Sequence, residues 1–169
     1  MAFRDNGDGT VTDDSTGLMW EKKTRPPRGA DSDVHNVTYA YSWSRSGDPS
    51  EVTGTEPDGT AFTLFLRTLN EGRFAGHSDW RLPTRQELLS IVDASRWPRI
   101  NEIFGPTNAA WSPYPTCYYL TSETRTDIPG NLHNAWAVNF GSVDSQRGFP
   151  EVQSGNKVGE SSVRAVRNV

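Results

Sequence analysis

Ser78-Asp79-Trp80-Arg81-Leu82-Pro83-Thr84, followed by Glu87 and Leu88, is the stretch whose reading sets the fold. Alternation along an extended segment puts Asp79 and Arg81 on one side and Trp80 on the other, so the indole anchors a core beneath a hydrogen-bonded loop. Pro83 closes the extended part. Thr84 then reads as a helix N-cap, and Glu87, three residues on, completes a capping box for a helix over residues 84–92. Leu88, Leu89, Ile91 and Val92 supply its buried stripe. Upstream, Phe62, Phe65, Leu66 and Leu69 recur at helical spacing and predict a first helix over residues 60–71, with Thr60 as its cap.

Outward from this pair of helices the pattern turns to strands. Phe3 begins a short strand, Asn6-Gly7 and Asp8-Gly9 are turn dipeptides, and Thr10-Val11-Thr12 and Leu18-Met19-Trp20 continue a β-meander. Residues 37–43 suit a short strand or one helical turn. Residues 44–59 read as a long surface loop. In the last third, residues 117–122, 135–140 and 162–167 read as strands, with Trp136, Val138 and Phe140 on one face, and residues 141–160 as a polar excursion. Trp20, Trp80 and Trp136, with Phe140, are expected to form one aromatic frame that carries the loops. The expected class is α+β, with two helices packed on small twisted antiparallel sheets, as one domain over residues 1–169.

Composition narrows the function. Seventeen basic against twenty-one acidic residues give a formal charge of −4, which disfavours a nucleic-acid partner. The densest basic stretch, Lys22-Lys23 with Arg25 and Arg28, reads as a solvated loop. Cys117 is the single cysteine, so no intrachain disulfide holds the fold. No run approaches the ~20 apolar residues of a membrane span, and no apolar signal-peptide core follows Met1. Fifteen glycines, eleven prolines and eighteen aromatic residues (six Trp, seven Phe, five Tyr) describe a loop-rich chain stabilised by a few large rings.

Four segments together resemble a known family. They are residues 5–13 with Thr16-Gly17-Leu18-Met19-Trp20, residues 78–84 with Glu87-Leu88, Ala135-Trp136 with Val138-Asn139-Phe140, and Val163-Arg164-Ala165-Val166-Arg167. The chain is similar to the C-terminal-domain family of the Legionella collagen-like adhesin. The resemblance implies a C-type-lectin-like fold, related to the formylglycine-generating group, with long loops at one end. It implies a bacterial cell-surface, secreted or phage-associated setting, and relatives that act as adhesins or as variable proteins diversified by retroelements. Family members commonly carry a cysteine in the first helix and another in the last strand; here Phe65, Leu66 and Ala165 stand in those regions.

No catalytic set is legible. There is no HExxH, no GxSxG elbow and no phosphate-cradling glycine loop. Cys117 lacks a partner context and reads as a small buried residue. Glu56-Pro57-Asp58 is similar to a lectin tripeptide but precedes both helices, where that comparison fails. An EF-hand reading of residues 4–9 puts Arg4 at the first ligand position and lacks the later glutamate, so structural turns are expected. If calcium binds there, Asp5, Asp8 and Asp13 are its ligands; no other cofactor is expected. The expected function is a non-catalytic ligand-binding or adhesion module for a protein or glycan. Its contacts would be Trp111, Tyr114, Tyr118, Tyr119, Arg125, Asn131, His133 and Asn134, on loops between residues 108 and 134 and over residues 142–155. The alternatives are a structural component of a phage particle or cell envelope, or an enzyme dependent on a metal or on Cys117.

Overall fold

A computed structural model describes residues 2–25, 33–45, 56–108, 117–130, 132–141 and 151–169. The N-terminal meander forms as the turn dipeptides dictate: β1 (Phe3–Asp5), β2 (Thr10–Asp13) and β3 (Leu18–Glu21) are antiparallel, with Val11 opposite Trp20. All four residues of β2 are buried although three are polar. Asn6 compensates two of them, since its Nδ2 donates to the hydroxyls of Thr10 (2.8 Å) and Thr12 (2.9 Å). The chain's last strand, β9 (Val166–Asn168), pairs with β3 and closes a sheet of order β1-β2-β3-β9. The sequence placed that strand over residues 162–167. Ser162 instead bridges Tyr119 on the second sheet, so the chain crosses between sheets before β9 begins.

The first helix starts with a π-helical stretch, Ala61–Leu66, and continues as α1 (Arg67–Glu71). Thr60 does not cap it. Its hydroxyl accepts from the Ser42 N–H (2.9 Å), tethering the helix start to β4 (Tyr41–Ser42). The second helix, α2 (Arg85–Ser90), carries the capping box: Thr84 Oγ1 accepts from Glu87 N (3.2 Å) and Glu87 Oε2 from Thr84 N (2.7 Å). Glu87 also takes a bidentate contact from Arg81 (2.6 and 2.8 Å), while Asp79 pairs with Arg167 (2.7 Å). Between these charges the Trp80 ring is buried. Asn70 on α1 holds its backbone from both sides, accepting from Trp80 N (2.8 Å) and donating to Trp80 O (2.9 Å).

A second sheet has the order β5-β6-β7, built from β5 (Tyr118–Thr124), β6 (Asn134–Asn139) and β7 (Val152–Asn156). β8 (Glu160–Ser161) pairs with β4. The sequence read residues 141–160 as an excursion without strands; β7 and β8 correct that. β7 has one partly buried valine at its start and otherwise polar residues and glycine, so it carries no hydrophobic alternation to betray it. The class is therefore α+β, with few helices and several small antiparallel sheets.

The core divides in two, and the two-residue period of the strands divides it. Tyr119, Val138, Phe140 and Val166 join Val11, Trp20, Leu88, Ile91 and Phe104 in one cluster. Their sequence neighbours Leu120, Ala137 and Ala165 join Trp43, Phe65, Leu69, Trp80 and Val163 in the other. Hence the three tryptophans do not form the single frame that the sequence suggests. Trp20 is in the first cluster, Trp80 in the second, and Trp136 in neither; Trp136 is half-buried. It shares the face of Val138 but sits beyond the packed part of the strand, at the start of α2. Phe65, Leu66 and Ala165 all pack in the second cluster.

The basic stretch at Lys22-Lys23 also departs from expectation. Lys23 is buried, 2.9 Å from the fully buried Glu21, and its ammonium stands 4.4 Å from the Phe65 ring centroid. Period-two alternation explains it, because Lys22 between them faces out to Asp5. Gly105 permits this fold-back. It has φ +79°, and a Cβ there would collide with the Lys23 carbonyl oxygen.

Candidate recognition surface

Three of the expected contact residues come together at one end of the second sheet. Asn134 opens β6, and its carbonyl accepts from Arg125 N (2.7 Å) just beyond β5. His133 precedes it, its carbonyl accepting from Lys157 N (2.8 Å). Trp136 follows two residues after Asn134 on β6. Guanidinium carbons lie 4.9 Å (Arg85) and 5.2 Å (Arg125) from its ring centroid.

The two arginines differ in freedom. Arg125 is fully engaged: it pairs with Asp127 through Nε (2.5 Å) and Nη2 (3.0 Å), and Nη1 donates to Ser154 Oγ (2.7 Å) on β7. That pairing holds the Asp127 carboxyl below its ordinary value. Arg85 is anchored through its backbone, whose N–H donates to the Glu123 carboxylate. Among the described residues its guanidinium has no carboxylate within ion-pair distance. The surface thus offers a partly exposed indole, one fixed cation and one adjustable cation, beside Asn134 and Asn156, which pair in register across β6 and β7.

The other expected contacts separate. Tyr119 is 0% exposed and belongs to the first core cluster, which removes it from any ligand; burial pushes its phenol well above the ordinary value. Tyr118 is half-buried against the second cluster. Alternation could not tell the two apart without knowing that both faces of β5 are covered. Trp111, Tyr114 and Asn131 lie outside the described residues, as do residues 142–150 of the second loop. Arg85 and Ser154 were not legible as site residues, since helix α2 and strand β7 bring them to Trp136 from distant parts of the chain.

Asp5, Asp8 and Asp13 serve their own turns. Asp5 accepts from Gly7 N (3.0 Å) and Lys22 Nζ (2.5 Å), and Asp8 from Thr10 N (3.1 Å). Asp13 accepts from Ser15 N (2.9 Å) and Thr16 Oγ1 (2.8 Å). Among the described residues no three His, Cys, Asp or Glu side chains are grouped to hold a metal ion. Cys117 is buried, its N–H donating to Asn139 Oδ1 (2.9 Å). No helix among the described residues is long and apolar enough to cross a membrane.

Comparison with known proteins completes the description. No curated protein and no solved structure matches the chain. The model of one family, the Lcl C-terminal domain, matches residues 9–167, from the glycine before β2 into β9. The chain belongs to the Lcl C-terminal domain family.

Proposed function

We propose that this Lcl C-terminal domain is a non-catalytic ligand-binding or adhesion module of C-type-lectin-like design, which engages a protein or glycan through the Trp136 end of its second sheet. The observation that carries this reading is the half-exposed indole between two guanidiniums, of which Arg125 is locked by Asp127 and Ser154 and Arg85 is not. Aromatic and arginine side chains on a rigid strand give large contact area at small entropic cost, which is the composition of interaction hot spots. Membership of the family supports an adhesion-like role. Recognition would be by shape and hydrogen bonding, with no chemical step.

The test uses arrays of glycans and extracellular-matrix proteins probed with the whole domain and with Trp136→Ala and Arg85→Gln. Ligands bound by the parent and weakened at least about ten-fold by both substitutions support the site, a loss of about 1.4 kcal/mol. Equal binding by all three proteins overturns it. A domain that binds nothing on either array and forms defined high-order assemblies is instead a structural component.

A further inference from the structure

A second site lies at the opposite end of β6. The chain leaving α2 is pinned there, since Arg99 N donates to the Phe140 carbonyl (2.8 Å). Between this segment and the turn at Glu102–Phe104 opens a cavity of about 450 Å³. One wall carries Trp97, a large ring 59% exposed in a protein that buries its other described tryptophans wholly or in part. Pro98, Ile100 and Pro106 continue the apolar surface, and Arg96 and Glu102 stand on the rim.

Two features specify the chemistry of an occupant. The first is charge. Arg96 Nε is 3.2 Å from Asp93, and its Nη1 is 4.0 Å from Glu102, so Arg96, the one cation lining the cavity among the described residues, is shared between two carboxylates. Hydrogen bonds from Ser95 hold the Asp93 carboxyl below its ordinary value, so it stays ionised at neutral pH. Among the described residues the rim therefore has no spare positive charge for a sulfate, phosphate or carboxylate. Nor is it apolar, because planar donor and acceptor groups surround the ring.

The second feature is Thr107. It lines the cavity and is 2% exposed, yet among the described residues its hydroxyl has no hydrogen-bond partner. Native proteins seldom leave a buried hydroxyl unsatisfied. A hydroxyl-bearing occupant of the cavity that Thr107 lines would supply the missing partner.

We infer that this cavity binds an uncharged, polyhydroxylated ring, a neutral pyranose. One apolar face of the sugar stacks on Trp97, its edge hydroxyls bond to Arg96 and Glu102, and one hydroxyl satisfies Thr107. The volume accommodates one or two rings. This site is separate from the Trp136 surface and uses none of its residues.

The test is titration of the whole domain with methyl glycosides of glucose, galactose, mannose and N-acetylglucosamine, and with glucuronate as the charged control. Binding is followed by calorimetry and by saturation-transfer NMR through the millimolar range typical of single sugars. The expected result is saturable binding of at least one neutral glycoside, weakened about ten-fold or more by Trp97→Ala and about three- to ten-fold by Thr107→Val. Trp97 is exposed and Val is isosteric with Thr, so both variants are expected to fold; matching far-UV circular dichroism and urea-unfolding midpoints verify it. Trp136→Ala leaves this affinity unchanged, which separates the fate of this site from that of the other surface. No saturable binding of any neutral glycoside overturns the inference. So does binding that both variants retain in full, or binding of glucuronate alone.

Discussion

Arg164 Nη1 donates to the backbone carbonyl of Glu21 at 2.7 Å, joining residues 143 positions apart inside the core. The same nitrogen reaches the Phe104 carbonyl (2.9 Å), and Glu21 Oε2 accepts from Ala165 N (3.0 Å). Lys23 and His35 Nδ1 approach the other carboxylate oxygen at 2.9 and 2.8 Å. One acid, a lysine and an arginine thus cross-link β3, the turn after Asn101 and the approach to β9. Removing one partner from such a buried set strands the others without solvent. We therefore predict that Glu21→Gln and Arg164→Met each destabilise the domain by about 3–5 kcal/mol. Urea unfolding followed by tryptophan fluorescence checks this; a loss under about 1 kcal/mol from either would show that the network is dispensable.

The same carboxylate makes the fold acid-sensitive. Burial alone would raise the Glu21 carboxyl, but Lys23, His35 and Arg164 outweigh it and hold it below the ordinary glutamate value of 4.5. Glu87 is also held low, chiefly by its bonds from Arg81. A carboxyl depressed in the folded state binds fewer protons there than in the unfolded chain. Its stabilisation is complete above the unfolded value and is lost as pH falls through the folded one. Titration of these groups should therefore leave unfolding midpoints independent of pH near neutrality, and midpoints should fall steeply below about pH 4.5. Glu87→Gln should lower stability at neutral pH and flatten that acid limb. A midpoint that rises on acidification would contradict the assignment.

These charges also mark the limit of what the sequence reveals. Residues 78–88 encode Trp80 and the capping box in local spacing, and the meander follows from its turn dipeptides and apolar triplets, so both are legible. Glu21, Lys23 and Arg164 are typed by sequence as surface residues, and only the closure of β9 on β3 buries them together. Trp136 is misplaced for the opposite reason. Its alternation with Val138 and Phe140 is real, but alternation says which face a ring occupies and not where the neighbouring helix stops. Likewise Arg125 and Asn134 are legible as polar groups near rings, whereas Arg85 enters the site only through the packing of α2 on β6.

The two helix starts give a paired test. Thr84 caps α2 through its side chain, and Thr60 makes no cap bond although both precede a helix. Thr84→Ala should cost about 1 kcal/mol, and Thr84→Ser should retain most of it. Thr60→Ala should leave the helical circular dichroism intact and loosen β4, where Thr60 accepts from Ser42 N. Amide hydrogen exchange reads this directly: faster exchange at Ser42 in the Thr60 variant, with unchanged exchange in α1, is expected. Equal loss of helix in both variants would mean that Thr60 caps after all.

Trp136 and Arg85 offer the most direct measurement of how the recognition surface is held. The Arg85 guanidinium lies 4.9 Å from the Trp136 ring centroid and has no ion-pair partner among the described residues, although its charge also acts on Asp127. Arg125 is positioned independently by Asp127 and Ser154. A double-mutant cycle of Arg85→Ala and Trp136→Ala should give a coupling of about 0.5–1 kcal/mol in urea unfolding, the range of partly exposed cation–π pairs. Trp136→Ala should free the Arg85 side chain in NMR relaxation while Arg125 keeps its order. Because Arg85 is then released without loss of its charge, ligand binding should fall through misplacement of the cation. Lowering the ionic strength strengthens attraction to the charge but not its placement, so it should restore little of the affinity. A coupling of zero, or full rescue at low salt, would reduce the pair to two independent surface groups.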